Sequence, residues 1–297
     1  MTAPSHVLSP LTALRFRLPR FGLGGSPIGE LPDADGAAIA TATIDAAYQA
    51  GIRYFDTAPS YGGGRSEQRF GTALARWPRE EFLLSTKVGR AVDGSADFSA
   101  DGIRRSLAES RKRLGLTVDL VMLHDPGNEH WQQVIEEAYP ALHELREERV
   151  VAAIGAAAAD WRLLDRLVRD TELDAVLLAG QYSLLDRSAT PLLDRCQARG
   201  VRAIASGVLT KQVLGTDRSK QTTDPGVILA RRLLAVCERY GVSLPQAALA
   251  FPGRHSAVAS VLIGAASRAE IRADAALVRQ SVPAELWRDE ELLRLLA

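Results

Sequence analysis

Four side chains in this sequence could do acid/base chemistry together: Asp56 and Tyr61 in "RYFDTAPSYGGGRSEQRFG", Lys87 in "FLLSTKV" and His124 in "VDLVMLH". A lysine ammonium beside a phenol stabilises the phenolate and lowers the pKa of a tyrosine from about 10, which makes it a usable acid. A carboxylate such as Asp56 would hold that ammonium charged and in place. An imidazole such as His124 would orient the substrate oxygen or share its proton. The set suits proton transfer at a carbonyl, above all one polarised while hydride arrives. Without hydride, the same groups would serve a redox-neutral elimination, isomerisation or cyclisation. Asp56, Lys87 and His124 each lie where a β-rich run stops, with Tyr61 just beyond the first, so their meeting depends on how those runs are arranged.

Eight such runs can be read: 20 to 25, 52 to 57, 82 to 88, 118 to 124, 150 to 155, 175 to 180, 201 to 206 and 259 to 264. Each is followed by a longer stretch with helical spacing, which is the sequence sign of parallel βαβ units. "DGAAIATATIDAAYQAG", "FSADGIRRSLAESRKRLG" and "GVILARRLLAVCERYG" all end on glycine, as helices with a glycine stop do. "EHWQQVIEEAYPALHELREE" reads as the fourth helix. Eight strands alternating with eight helical segments favour a closed (β/α)8 barrel, an α/β TIM barrel formed by residues 1 to 297 as a single domain. The competing Rossmann-like sheet lacks its G-x-G-x-x-G, since "GLGGSPIG" follows the first strand with a proline inside it. "ALRFRLP" is expected to add an N-terminal hairpin at the barrel floor, and "AELWRDEELLRLLA" a C-terminal helical tail. In such a barrel the site is built at the carboxyl ends of the strands, which places the four groups on one mouth.

Acidic and basic residues cancel to a formal charge of zero, so no global field draws in nucleic acid or an anionic membrane. The runs Arg111 to Arg113 and Arg231 to Arg232 read as solvated helix faces. His130, His143 and His255 read as surface or helix-end residues, and no metal site is expected. Cys196 and Cys237 are the only cysteines, each in an expected helix, which fits a reducing cytoplasm rather than a disulfide framework. The first residues lack the uninterrupted apolar core of a signal peptide, and no run is long enough to span a bilayer. The expected partner is a small carbonyl compound; oligomeric state is left open.

"GIRYFDTAPSYGGGRSEQRFG", "STKVG" and "DLVMLHDP" resemble the motifs of the aldo-keto reductase superfamily, in the branch containing aldose and pyridoxal dehydrogenases. The resemblance covers nearly the whole chain in the right order. It implies a (β/α)8 barrel with NADP or NAD across its mouth, NADP slightly favoured, and a tetrad of Asp56, Tyr61, Lys87 and His124. On the cofactor side it implies Gln181 at the nicotinamide amide and Ser206, Gly207 and Leu209 at the phosphates. It places Gly264, Ser267, Arg268, Glu270 and Asp274 toward the adenosine. Six residues at four places depart from the pattern. Ala158 and Ala159 stand where a polar amide contact follows the fifth strand, Ile204 and Ala205 where an aromatic ring ends the seventh, Ala266 where a basic residue meets a 2′-phosphate, and Asp274 where Asn is usual. The implied activity is NAD(P)-dependent interconversion of a small aldehyde, ketone or sugar lactol with its alcohol or oxidised form, Tyr61 being the general acid/base. The alternatives are a redox-neutral enzyme on the same barrel, or a non-enzymatic subunit that binds the cofactor to regulate a partner.

Overall fold

The computed structural model describes residues 17–210, 213 and 223–297. Eight parallel strands close into a barrel in sequence order, each hydrogen-bonded to the next and β8 back to β1. They are β1 (Phe21–Gly24), β2 (Tyr54–Asp56), β3 (Leu83–Val88), β4 (Leu120–His124), β5 (Ala153–Ala158), β6 (Ala175–Ala179), β7 (Arg202–Ser206) and β8 (Val258–Gly264). Around them lie helices α1 (Asp33–Gln49), α2 (Arg65–Leu74), α3 (Ala100–Leu114), α4 (Tyr139–Glu147), α5 (Trp161–Asp170), α6 (Thr190–Arg199), α7 (Pro225–Arg239), α8 (Leu244–Ala250) and α9 (Arg268–Arg279), with α10 (Glu290–Leu296) as the C-terminal tail. Shorter helical turns include Ser26–Gly29 after β1.

The core has two layers because alternate strand residues face opposite ways. The larger layer lies between strands and helices and includes Leu23, Phe55, Leu84, Val121, Ile154 and Leu178. Inside the barrel, Tyr54, Leu83, Leu120, Met122, Ile204 and Leu262 pack with alanines 153, 157 and 175, and Leu18 closes one end. Local chemistry sets the helix ends. Ser99 accepts a hydrogen bond from the Gly102 amide at the start of α3, and Gly115, left-handed at φ 64°, ends it.

The structure corrects several readings. The fifth strand runs from 153 to 158, not from 150 to 155. Val150 and Val151 have strong β character, yet their amides donate to Leu145 O and finish α4, with Arg149 left-handed at φ 56°. Pairing with β4 sets the true register, Leu120 opposite Ala153 and His124 opposite Ala157. Ala158 therefore sits inside the strand and Ala159 at its exposed end. The fourth helix is broken: a wide π turn, Val134–Ala138, precedes α4, next to Pro140, which lacks the amide hydrogen a regular helix needs there. Among the described residues two helices, α7 and α8, lie between β7 and β8, where the sequence suggested one. Nor is the basic run a free surface. Arg111 donates to Val150 O (2.5 Å) and Arg113 to Glu67 Oε2 (2.6 Å). The expected hairpin at 13 to 19 lies largely outside the described residues, as does most of the segment after Leu209. Among the described residues no helix is long and apolar enough to cross a membrane.

Candidate active site

The carboxyl ends of β2, β3 and β4 bring Asp56, Lys87 and His124 together, and Tyr61 reaches them from the turn between β2 and α2. Lys87 Nζ lies 2.6 Å from Asp56 Oδ2 and 3.0 Å from Thr57 O. Both side chains are almost wholly enclosed, at 1% and 3% exposure. Asp56 Oδ1 accepts from Ser85 Oγ at 2.6 Å, and Ser85 Oγ lies 3.0 Å from the Tyr54 hydroxyl. Because the Ser85 proton goes to the carboxylate, the Tyr54 hydroxyl donates. Burial and the nearby Asp56 keep that phenol neutral, with its pKa pushed well up. Burial pulls the Lys87 pKa down, but Asp56 and Tyr61 outweigh it and the net direction is up, so the lysine is a fixed cation. It stands 4.7 Å from the centre of the Tyr61 ring, which also meets the His124 ring edge-on at 5.7 Å.

The rest of the glycine-rich motif places Tyr61. Thr57 Oγ1 donates to Ser66 Oγ (2.8 Å), which donates to Gly25 O (2.9 Å), tying the ends of β1 and β2 to α2. A Cβ on Gly25 would meet Ser66 Oγ at 2.6 Å and Asp56 O at 2.8 Å, so only glycine permits this approach. Arg69, buried, donates to the carbonyls of Ile28, Gly29 and Leu31, and Glu67, also buried, accepts from Thr86 Oγ1 (2.6 Å) and Arg113. Ser85, Tyr54, Glu67 and Arg69 were not singled out from the sequence. Their only signal there is their presence within or beside the motif and strand ends.

His124 is mostly buried, and this burial, with the charges of Lys87 and Arg90, depresses its pKa to about 3. The ring is neutral at physiological pH. Its Nδ1 is buried with no hydrogen-bond partner among the described residues, and an unpaired acceptor is tolerated better than an unpaired donor, which favours the tautomer with hydrogen on Nε2. The unfolded histidine takes its proton near 6.5 and the folded one only near 3. Between those values the unfolded state binds more protons, and stability falls as pH falls. The contribution is whole above pH 6.5. Relative to His124→Gln, the wild type is expected to lose about 2–3 kcal/mol between pH 6.5 and 4.5, read by chemical denaturation at each pH. Parallel losses in the two proteins would refute a neutral buried imidazole.

A cavity of about 330 Å³ opens beside Asp56 and Tyr61 and extends across the ends of β1, β6, β7 and β8. It is lined by Gly24, Ser26, Pro27 and Leu177, by Ser206 through Leu209, and by Leu262 through Gly264. The sequence-predicted Ser206, Gly207, Leu209 and Gly264 thus share its wall, whereas Gln181, Ser267, Arg268, Glu270 and Asp274 lie outside it.

The chain matches the Aldo/keto reductase family over residues 20–288. It is 35% identical to D-threo-aldose 1-dehydrogenase of Pseudomonas sp, covering 94% of this chain and 95% of that one. The chain belongs to the aldo/keto reductase family. It is also 35% identical to pyridoxal 4-dehydrogenase of Microbacterium luteolum, over 90% and 91% of the two chains. The holo structure of an aldo-keto reductase from Bacillus halodurans superposes with a TM-score of 0.77 at 25% identity, covering 93% and 91%. As a member of this family the chain is an oxidoreductase, and aldo/keto reductases generally use NAD(P)H.

In this aldo/keto reductase the predicted cofactor residues divide by position. Gln181 Oε1 accepts from the Trp161 amide at 2.7 Å, so the start of α5 fixes the orientation of the side-chain amide and leaves its NH2 as donor. Ser267 caps α9, and the Glu270 carboxylate accepts from the Ala266 amide at 2.8 Å. Burial and the nearby Glu270 raise Asp274 to about 6. Arg268 is exposed. The seventh strand ends at Ser206, and Ile204 lies inside the barrel, so it is not the residue at the mouth. The apolar wall comes instead from Leu177 and Leu262, which strand alternation points inward but which the sequence did not mark.

Proposed function

We propose that this enzyme interconverts a small carbonyl compound and its alcohol or oxidised form, with Tyr61 as general acid/base and a nicotinamide dinucleotide in the cavity beside it. The observation that carries the reading is the enclosed Lys87–Asp56 pair beneath the Tyr61 ring, a fixed cation where a phenolate must be stabilised. A nicotinamide held there would supply hydride for reduction and take it up in oxidation. In reduction the Tyr61 hydroxyl gives its proton to the carbonyl oxygen as charge develops there, and Lys87 stabilises the phenolate that remains. Asp56, held by Ser85 and Tyr54, keeps Lys87 from turning away. Neutral His124 donates from Nε2 to the same oxygen and orients it.

The residues present fit the dinucleotide. The Gln181 NH2, oriented through its oxygen and without a partner among the described residues, would donate to the nicotinamide amide, while the Ala159 side chain would add no second polar contact. The turn at Gly207, left-handed at φ 69°, together with Ser206 and Leu209, would meet the phosphates. Gly264, Ser267, Arg268, Glu270 and Asp274 would face the adenosine end. There the Glu270 carboxylate already takes the Ala266 amide and Asp274 adds a second acid, which disfavours a further phosphate, so NAD is the proposed cofactor over NADP.

The test is to follow NADH and NADPH absorbance with the purified protein and a panel of small aldehydes and lactols. Stoichiometric NADH consumption is expected, with NADPH consumed more slowly. Carbonyl conversion that proceeds without any nicotinamide would instead establish a redox-neutral reaction on this barrel.

A further inference from the structure

Beside the tetrad, the end of β4 carries one residue in an uncommon conformation. Asp125, immediately after His124, has φ 45°; the only other non-glycine residue with positive φ among those described is Arg149, at the end of α4. Left-handed backbone at a residue other than glycine persists where its surroundings hold it. Here they do. The Asp125 amide donates to Ala157 O at 2.7 Å, and its carbonyl accepts from Arg90 Nη2 (2.7 Å) and Nε (3.1 Å). Arg90 Nε also reaches His124 O (3.2 Å) and Nη1 reaches Gly94 O (3.3 Å), so this guanidinium is directed at carbonyls of the rim.

The carboxylate held this way is exposed. Its one hydrogen bond among the described residues is a long contact from the Ala159 amide, 3.5 Å to Oδ1, and no described cation lies within 4.0 Å of it. The side chains at the neighbouring end of β5, those of Ala157, Ala158 and Ala159, are methyl groups and offer the carboxylate no hydrogen bond. An acceptor-only group is therefore carried on a held backbone in the residue after His124, and among the described residues most of its lone pairs have no protein partner.

Resting on the oxidoreductase reading above, we propose that Asp125 is a specificity-determining residue that accepts a hydrogen bond from a hydroxyl group on a carbon adjacent to the reacting one. The local field decides between a hydroxyl and an ammonium. Lys87 and Arg90 both lie close enough to oppose protonation of His124, and a cationic substrate would meet the same repulsion. A neutral hydroxyl donor does not. A site that hydrogen-bonds a substrate hydroxyl discriminates against the analogue lacking it, and for an exposed carboxylate, which water can solvate again, the expected effect is that of one charge-assisted hydrogen bond.

The experiment compares glyceraldehyde with propanal, which has the same carbon chain without hydroxyls, using NADH and three proteins: wild type, Asp125→Gly and Asp125→Asn. Glycine adopts φ 45° without strain and removes the side chain with its carboxylate; asparagine tolerates that conformation and keeps a neutral acceptor. For Asp125→Gly, kcat/KM with glyceraldehyde is expected to fall about 10- to 100-fold, mostly through KM, while propanal changes less than about twofold. Asp125→Asn should recover part of the loss. Equal losses with both aldehydes would make Asp125 a structural residue, and no loss with either would remove it from recognition; each overturns the proposal. A wild type that oxidises NADH with neither aldehyde overturns the underlying reductase reading as well.

Discussion

Replacing Tyr61 with phenylalanine is expected to lower kcat by about 10³-fold and to leave the dissociation constant for NADH within about twofold. The two effects separate because the hydroxyl is the only atom lost. The ring keeps its edge-on contact with His124 and its place beside the Lys87 ammonium, so the walls of the cavity stay where they are. Single-turnover measurement of NADH oxidation removes product release from the comparison, and fluorescence titration reports cofactor affinity. Retention of a tenth or more of the wild-type rate would show that another group supplies the proton. His124 is the other candidate, but its low pKa leaves it neutral and therefore a poor acid at pH 7.

Replacing Lys87 with methionine is expected to harm both stability and catalysis. The side chain has similar length, but Asp56 would be left as a buried carboxylate with Ser85 as its remaining side-chain partner. An uncompensated buried charge costs about 3–5 kcal/mol, which for a chain of this size lowers Tm by roughly 6–15 °C. Activity is expected to fall at least 100-fold because the phenolate of Tyr61 loses its cation. The double variant Asp56→Asn with Lys87→Met removes both charges together. It should regain most of the lost Tm, since a neutral pair carries no stranded charge, and regain none of the activity. Full stability of Lys87→Met alone would contradict the enclosure of the pair; activity in the double variant would contradict the role given to Lys87.

Much of this was legible in the sequence for a physical reason. A parallel barrel buries each strand on both faces and ends each strand at one rim, so runs of apolar residues closed by Asp56, Lys87 and His124 already state that these groups share a mouth. The order of the strands followed as well, because each βα unit folds locally. Strand boundaries were less secure where propensity and pairing disagree. At Val150 and Val151 the residues favour a strand, but the preceding helix needs their amides, and Ala153 begins the ladder instead.

What remained for the tertiary structure depends on contacts between elements far apart in the chain. Ser85 and Tyr54 could not be joined to Asp56 until β2 lay beside β3. Gln181 could not be oriented until β6 brought it to the start of α5, and Arg90 could not be seen to hold Asp125 before the loop after β3 folded onto the end of β4. Glu270 stands where the family resemblance puts an adenosine contact, and only the folded chain shows its carboxylate accepting from the Ala266 amide. The residue types that do chemistry, and the barrel that gathers them, are written locally in the sequence. Charge states, amide orientations and the free acceptor at Asp125 arise from burial and from which dipoles happen to face one another, and those are decided only when the barrel closes.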